Sequence, residues 1–181
     1  MLKKDIVSNS DTTYTDTDGI IYINGSREVV DYNYVWYSGK LWRITVLNPD
    51  GTIKLVTADT ITTMFWPNNT LYADTDINAW LNTEFLNTLY NYQNLLKTDA
   101  VWDATIMTSY EEKPTKTTLV TATVGLLTGY EYYISYKDFV EHDTNLSILS
   151  NGTYQWSMTM TSTSSAYCTT AMSFGLNIES L

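Results

Sequence analysis

A single cysteine, Cys168, and a single histidine, His142, are present in this chain of 181 residues. One cysteine excludes an intrachain disulfide and a cysteine-based zinc site, and one histidine excludes a His-rich metal site. The pair that remains, Cys168 with His142, lacks a nucleophile signature. Ala166-Tyr167-Cys168-Thr169 reads as a small half-buried thiol, and His142, between Glu141 and Asp143, as a solvated loop residue. Positive charge is scarce as well. Ten Lys and Arg against twenty Asp and Glu give a net charge of −10 and a pI near 4.3. That balance argues against a nucleic-acid backbone or an anionic membrane surface as partner, since both require clustered cations. No apolar run is long enough to span a bilayer, and Met1-Leu2-Lys3-Lys4 is not followed by a hydrophobic segment. Neither membrane insertion nor a signal peptide is therefore expected.

Apolar and aromatic residues are plentiful, at 44% and 14%, enough for one domain with a substantial core. Polarity is carried mainly by Thr, Ser, Asn and Tyr, a composition common in secreted and cell-surface β-rich domains. The stretch YVWYSGKLWRITVLNPDGTIKLVT, residues 34–57, specifies strand reversals. Trp42, Ile44 and Val46 fall on one face of a strand and point inward, with Leu41, Arg43, Thr45 and Leu47 on the other. Asn48-Pro49-Asp50-Gly51 turns the chain, because Pro49 presets φ and Gly51 accepts a left-handed conformation. Ile53, Leu55 and Thr57 return as the partner strand. A tighter reversal at Tyr37-Ser38-Gly39-Lys40 adds a third strand, and the three form a meander.

Residues 1–19 read as a flexible polar lead-in, and Ile20-Ile21-Tyr22-Ile23 as an edge strand at the start of a single domain spanning 20–181. Residues 57–63 read as a continuing strand that Phe65-Trp66-Pro67 breaks. In ADTDINAWLNTEFLNTLYNY, Ile77, Trp80, Leu81, Phe85 and Leu89 recur at helical spacing behind a cap at Asp74 or Asp76, leaving Asn78, Asn82 and Asn87 outside or flanking. A strand over 117–127 is expected after the polar loop 111–116. Thr128-Gly129-Tyr130-Glu131 has capping-box spacing and starts a short helix running to Lys137 or Phe139. Towards the end come a turn at Ser150-Asn151-Gly152, an alternation of Tyr154, Trp156, Met158 and Met160, and a Ser/Thr-rich loop at 161–170.

Few residues suggest chemistry. Asp11, Asp16 and Asp18 before Gly19 superficially resemble a calcium loop, but the remaining ligand spacing and the closing Glu are missing, and a solvated turn is the better reading. Asp74 and Asp76 are explained by a helix N-terminus, and Glu131 by its own capping box. Two acids facing one cleft would suit glycoside chemistry, with Glu131 paired to Asp138 or Glu84 as the candidates.

The order of YVWYSGKLWRITVLNPDGTIKLVT, INAWLNTEFLNTL, VGLLTGYEYYISY and LSNGTYQWSMT resembles a family of uncharacterised Gram-positive bacterial surface domains, often found behind prepilin-like or membrane-anchoring leaders. The resemblance covers residues 34–161. It implies an α+β fold, an antiparallel meander sheet with two short helices, C-type-lectin-like, with a loop-rich ligand face. Family members carry a paired aromatic and a Pro where this chain has Gln155-Trp156-Ser157-Met158-Thr159-Met160, and they continue into a final strand after a Gly-containing turn. On that comparison the domain lacks its last strand. The expected function is a non-enzymatic extracytoplasmic recognition or adhesion domain of a bacterial surface protein, with a glycan or protein at the cell surface as partner. Tyr154, Trp156, Thr161, Ser162, Ser164 and Tyr167 are the expected ligand-binding residues. No catalytic residue, metal or cofactor is expected. The alternatives are a structural pilin-like assembly subunit and a glycan-active enzyme using paired carboxylates.

Overall fold

The computed structural model describes residues 13–25, 33–66, 70–137, 149, 156–162, 165–168 and 174–178. Their strands run antiparallel throughout, and the two helices are short, which makes the domain α+β as expected. Strand β1 (Thr13–Thr15) pairs with β2 (Ile21–Ile23), so part of the expected lead-in belongs to the sheet. Asp16 turns this hairpin: its Oδ1 accepts the N–H groups of Asp18 and Ile20, both at 2.9 Å.

The expected meander is present as β3 (Tyr34–Tyr37), β4 (Lys40–Leu47) and β5 (Ile53–Thr57). Its first turn holds Ser38 and Gly39 at φ 48° and 72°, the backbone of a tight hairpin reversal. In its second turn, Gly51 sits at φ 92° and its N–H reaches Asn48 O at 3.0 Å. The β5 strand ends at Thr57, short of the expected extension to residue 63. Both β2 and β3 lie along one edge of β4, β5 lies along the other, and Asn33 bridges the gap by bonding the backbone of Ile44 in both directions.

Strict alternation along β4 fails at one residue. The register steps from Ile44 opposite Leu55 to Val46 opposite Lys54, so Thr45 is a bulge. Before it, Trp42 and Ile44 face the main core, as the pattern predicts. After it the faces exchange. Leu47, expected outside, joins the main core, and Val46 joins a second cluster with Tyr22, Tyr130 and Ile134 on the opposite face. Part of the second face is thereby covered as well, by Tyr130 and Ile134 from further along the chain.

Helix α1 (Asp76–Trp80) runs into a π-helical turn at Leu81–Phe85, which packs Phe85 against Trp42 with ring centroids 6.3 Å apart. The cap is Thr75, not Asp74 or Asp76: its hydroxyl accepts the Asn78 N–H at 3.1 Å. Asn82, expected outside or flanking, instead reaches the backbone of the next sheet segment. Its Oδ1 accepts the N–H groups of Thr123 and Val124, and its Nδ2 donates to Val124 O. Those contacts fall where the expected single strand divides into β7 (Leu119–Thr121), paired with β6 (Val101–Asp103), and β8 (Val124–Leu126), which belongs to the main sheet.

Helix α2 (Gly129–Ile134) follows with the predicted capping box, Thr128 and Glu131 each accepting the other's backbone N–H at 3.1 and 2.8 Å. It ends at Ile134, before Lys137. The Ser/Thr-rich segment expected as a loop contributes a hairpin, β9 (Trp156–Ser162) with β10 (Ser165–Cys168). Strand β11 (Phe174–Ile178) then enters the main sheet between β5 and β8. The final residues thus supply an interior strand, where the family pattern had suggested a missing one.

Candidate functional site

Sheet register places two features on the face opposite Trp42 and Ile44. The first is a half-open cleft of about 150 Å³. Its floor is apolar and aromatic, from Ile20, Tyr22, Val46 and Tyr130; its rim is polar, from Asn48, Lys54, Asp103, Lys116 and Glu131. The bulge at Thr45 brings Val46 to this floor. Alternation in β5 sends Lys54 the same way, because Ile53 and Leu55 on either side of it face the main core.

Ion pairs frame the cleft. The Lys54 ammonium bonds Glu131 Oε1 and lies 4.7 Å from the centre of the Trp102 ring. This pair is largely buried, with its side chains 13% and 9% exposed. On the other side, Lys113 Nζ donates to Asp16 Oδ2 at 2.5 Å and to Asp18 Oδ2 at 2.8 Å, and Lys116 Nζ stands 3.5 Å from Asp18. Asp103 is held by Thr105 at Oδ1 and by the Lys116 N–H at Oδ2.

These contacts set the protonation of the frame. Burial pushes Asp16 up, but hydrogen bonds from Lys113 and from the Ile20 N–H outweigh it and hold the carboxyl below the ordinary value. Asp18 is lowered chiefly by its Lys113 hydrogen bond. Burial lowers Lys113, yet Asp16 and Asp18 more than compensate, so its pKa is raised. Tyr22, whose hydroxyl donates to Asp16 Oδ2 at 3.2 Å, is pushed far up by burial and then by the charges of Glu131 and Asp16.

Asp16 was expected in a solvated turn; it is buried instead, with a lysine partner from a loop far along the chain. Among the described residues, no three His, Cys, Asp or Glu side chains come together as a metal site. Nor, among them, is any helix long and apolar enough to cross a membrane.

Of the paired-carboxylate candidates, Glu131 and Glu84 are not brought together. Glu131 lies on the face of Lys54, whereas Glu84 lies on the turn that packs Phe85 against Trp42, on the opposite face. Both oxygens of Glu131 are engaged, by Thr128 N–H and by Lys54. Glu84 is lowered by the Thr83 hydroxyl, whereas a general acid needs a raised pKa. Asp138 and His142 lie outside the described residues.

The second feature is aromatic. Tyr34 is paired with Arg43 and Trp36 with Leu41, so the four share a face. Trp36 is 71% exposed and Tyr34 38%. The Arg43 guanidinium sits 4.1 Å from the Tyr34 ring centre and donates to its hydroxyl, which fixes the ring. Tyr90 stands beside the β3–β4 turn, 3.7 Å from the position a side chain at Gly39 would take.

Of the ligand-binding residues expected from sequence, Trp156, Thr161 and Ser162 lie on β9 and Tyr167 on β10, while Tyr154 and Ser164 lie outside the described residues. Residues Ser157, Met158, Thr159 and Met160 of β9 are buried. The cleft residues Lys113 and Asp103 were not singled out by sequence. Lys54 was findable from alternation alone, since it stands between Ile53 and Leu55. The chain matches no protein-family model, no curated protein and no solved structure.

Proposed function

We propose that this chain is a non-enzymatic recognition or adhesion domain of a bacterial surface protein, acting outside the cytoplasm and binding glycan. The observation that carries this reading is the Trp36–Tyr34 face. A large aromatic ring presented to solvent on a paired strand, beside a second ring pinned by Arg43, is a rigid platform. Such rings pack on the apolar faces of sugar rings, and their hydroxyl and indole N–H groups reach the polar edges. The proposal places the ligand face here in place of 154–167, because Trp36 and Tyr34 are exposed together on one strand face with Arg43 fixing the second ring. The polar, Thr- and Ser-rich composition and the resemblance to surface domains support the location. The C-type-lectin-like architecture belongs to the same proposal.

The test is a glycan and surface-polymer array probed with the wild-type protein and with Trp36→Ala, folding being checked by circular dichroism. A specific signal lost in the variant is the expected result. A blank array from folded wild-type protein overturns the reading and favours the assembly-subunit alternative.

A further inference from the structure

We infer that the cleft between β4, β5, α2 and the 113–116 loop is a second binding site, for a neutral polyhydroxylated ligand the size of one sugar unit. The inference does not depend on the Trp36 platform. The cleft, of about 150 Å³, is of a size for one small polar molecule.

Its walls are chemically mixed. Tyr22 and Tyr130 meet edge to face, with centroids 6.0 Å apart, and give a rigid aromatic floor. Donors and acceptors line the same cleft, from Asn48, Lys54, Asp103, Lys116 and Glu131. An ammonium carries three N–H donors and a carboxylate about four acceptor positions. Lys54 and Glu131 spend one of these on each other, and Glu131 a second on the Thr128 N–H, which leaves further donor and acceptor positions on both.

The charge balance selects the ligand class. Three of the chain's ten basic residues line this one cleft, and each is matched. Lys54 answers Glu131, Lys113 answers Asp16 and Asp18, and Lys116 answers Asp18 while its N–H holds Asp103. An anion would have to displace a carboxylate and a cation an ammonium, both at a cost in buried charge. A hydroxyl donates and accepts at once, so a polyol can bridge the existing pairs without breaking them.

The experiment is an amide-shift titration of the isotopically labelled protein with free glucose, galactose and N-acetylglucosamine, and with glucuronic acid and glucosamine as charged relatives. Shifts at Tyr22, Val46, Lys54 and Tyr130 with at least one neutral sugar, weaker with the charged relatives, are expected. Val101 stands at the cleft rim with 59% of its surface exposed, so Val101→Trp should block the cleft without disturbing the ion pairs and abolish those shifts. Trp36→Ala should leave them intact, which separates this site from the aromatic platform. No shift at these amides with any neutral sugar overturns the inference. So do tighter binding of a charged relative, shifts that survive Val101→Trp, or shifts lost in Trp36→Ala.

Discussion

Asp16 joins three tasks in one side chain. It turns the β1–β2 hairpin, accepts the Tyr22 hydroxyl and anchors Lys113. Its pKa is lower in the folded protein than the ordinary Asp value, so the stability it contributes is fully present above that value and is lost as pH falls through the folded one. Asp16→Asn should therefore cost about 2 kcal/mol at neutral pH. It should also flatten the fall in Tm on acidification below about pH 4, measured by thermal melts across a pH series. An unchanged acid limb would show that Asp16 does not carry this linkage. Gly125 presents a steric case. A Cβ there would fall 2.5 Å from the Trp102 ring, which its own indole N–H holds to Ala122 O at 2.8 Å. Gly125→Ala should cost about 1–3 kcal/mol, read from denaturant midpoints, because the ring has no easy retreat.

At the scale of elements, the local signals were legible and the long-range ones were not. The Asn48–Gly51 turn, the Ser38-Gly39 reversal and the Thr128–Glu131 capping box depend on residues within four positions of one another, and all three are present. At the division of residues 117–127 into β7 and β8 stands Asn82, 41 residues away in sequence and in a different element, so no local pattern could show it. The bulge at Thr45 escaped for a related reason: alternation counts residues, and one unpaired residue reverses every face after it. Deleting Thr45 should restore plain alternation and leave Val46 and Leu47 on the faces they now occupy, because Val46 would then follow Ile44 directly. The expected outcome is a cooperative thermal melt with a modestly shifted Tm, and loss of cooperative unfolding would contradict the role given to the bulge.

At the scale of the whole molecule, charge separates possible ligands. A net charge of −10 repels anionic polymers at a distance, and added salt screens that repulsion. Binding to a neutral polysaccharide should be insensitive to ionic strength, whereas any binding to an anionic surface polymer should strengthen with salt; titrations at low and high salt distinguish them. The cleft was the part of the site least visible in sequence. Lys113 reads as one charge in a polar loop, and only the assembled sheet carries it to Asp16 and Asp18.

That assembly has a timetable. Strand β11 fills the gap between β5 and β8, and it is the last described segment of the chain. Until residues 174–178 arrive, both neighbours present open edges, and the face that carries the cleft has no continuous sheet behind it. A ribosome-bound nascent chain would hold every hairpin and still lack the domain, so folding should be a late, all-or-none event after synthesis of this segment. Removal of residues 174–178 should therefore abolish the cooperative thermal melt of the whole sheet and not of one edge alone.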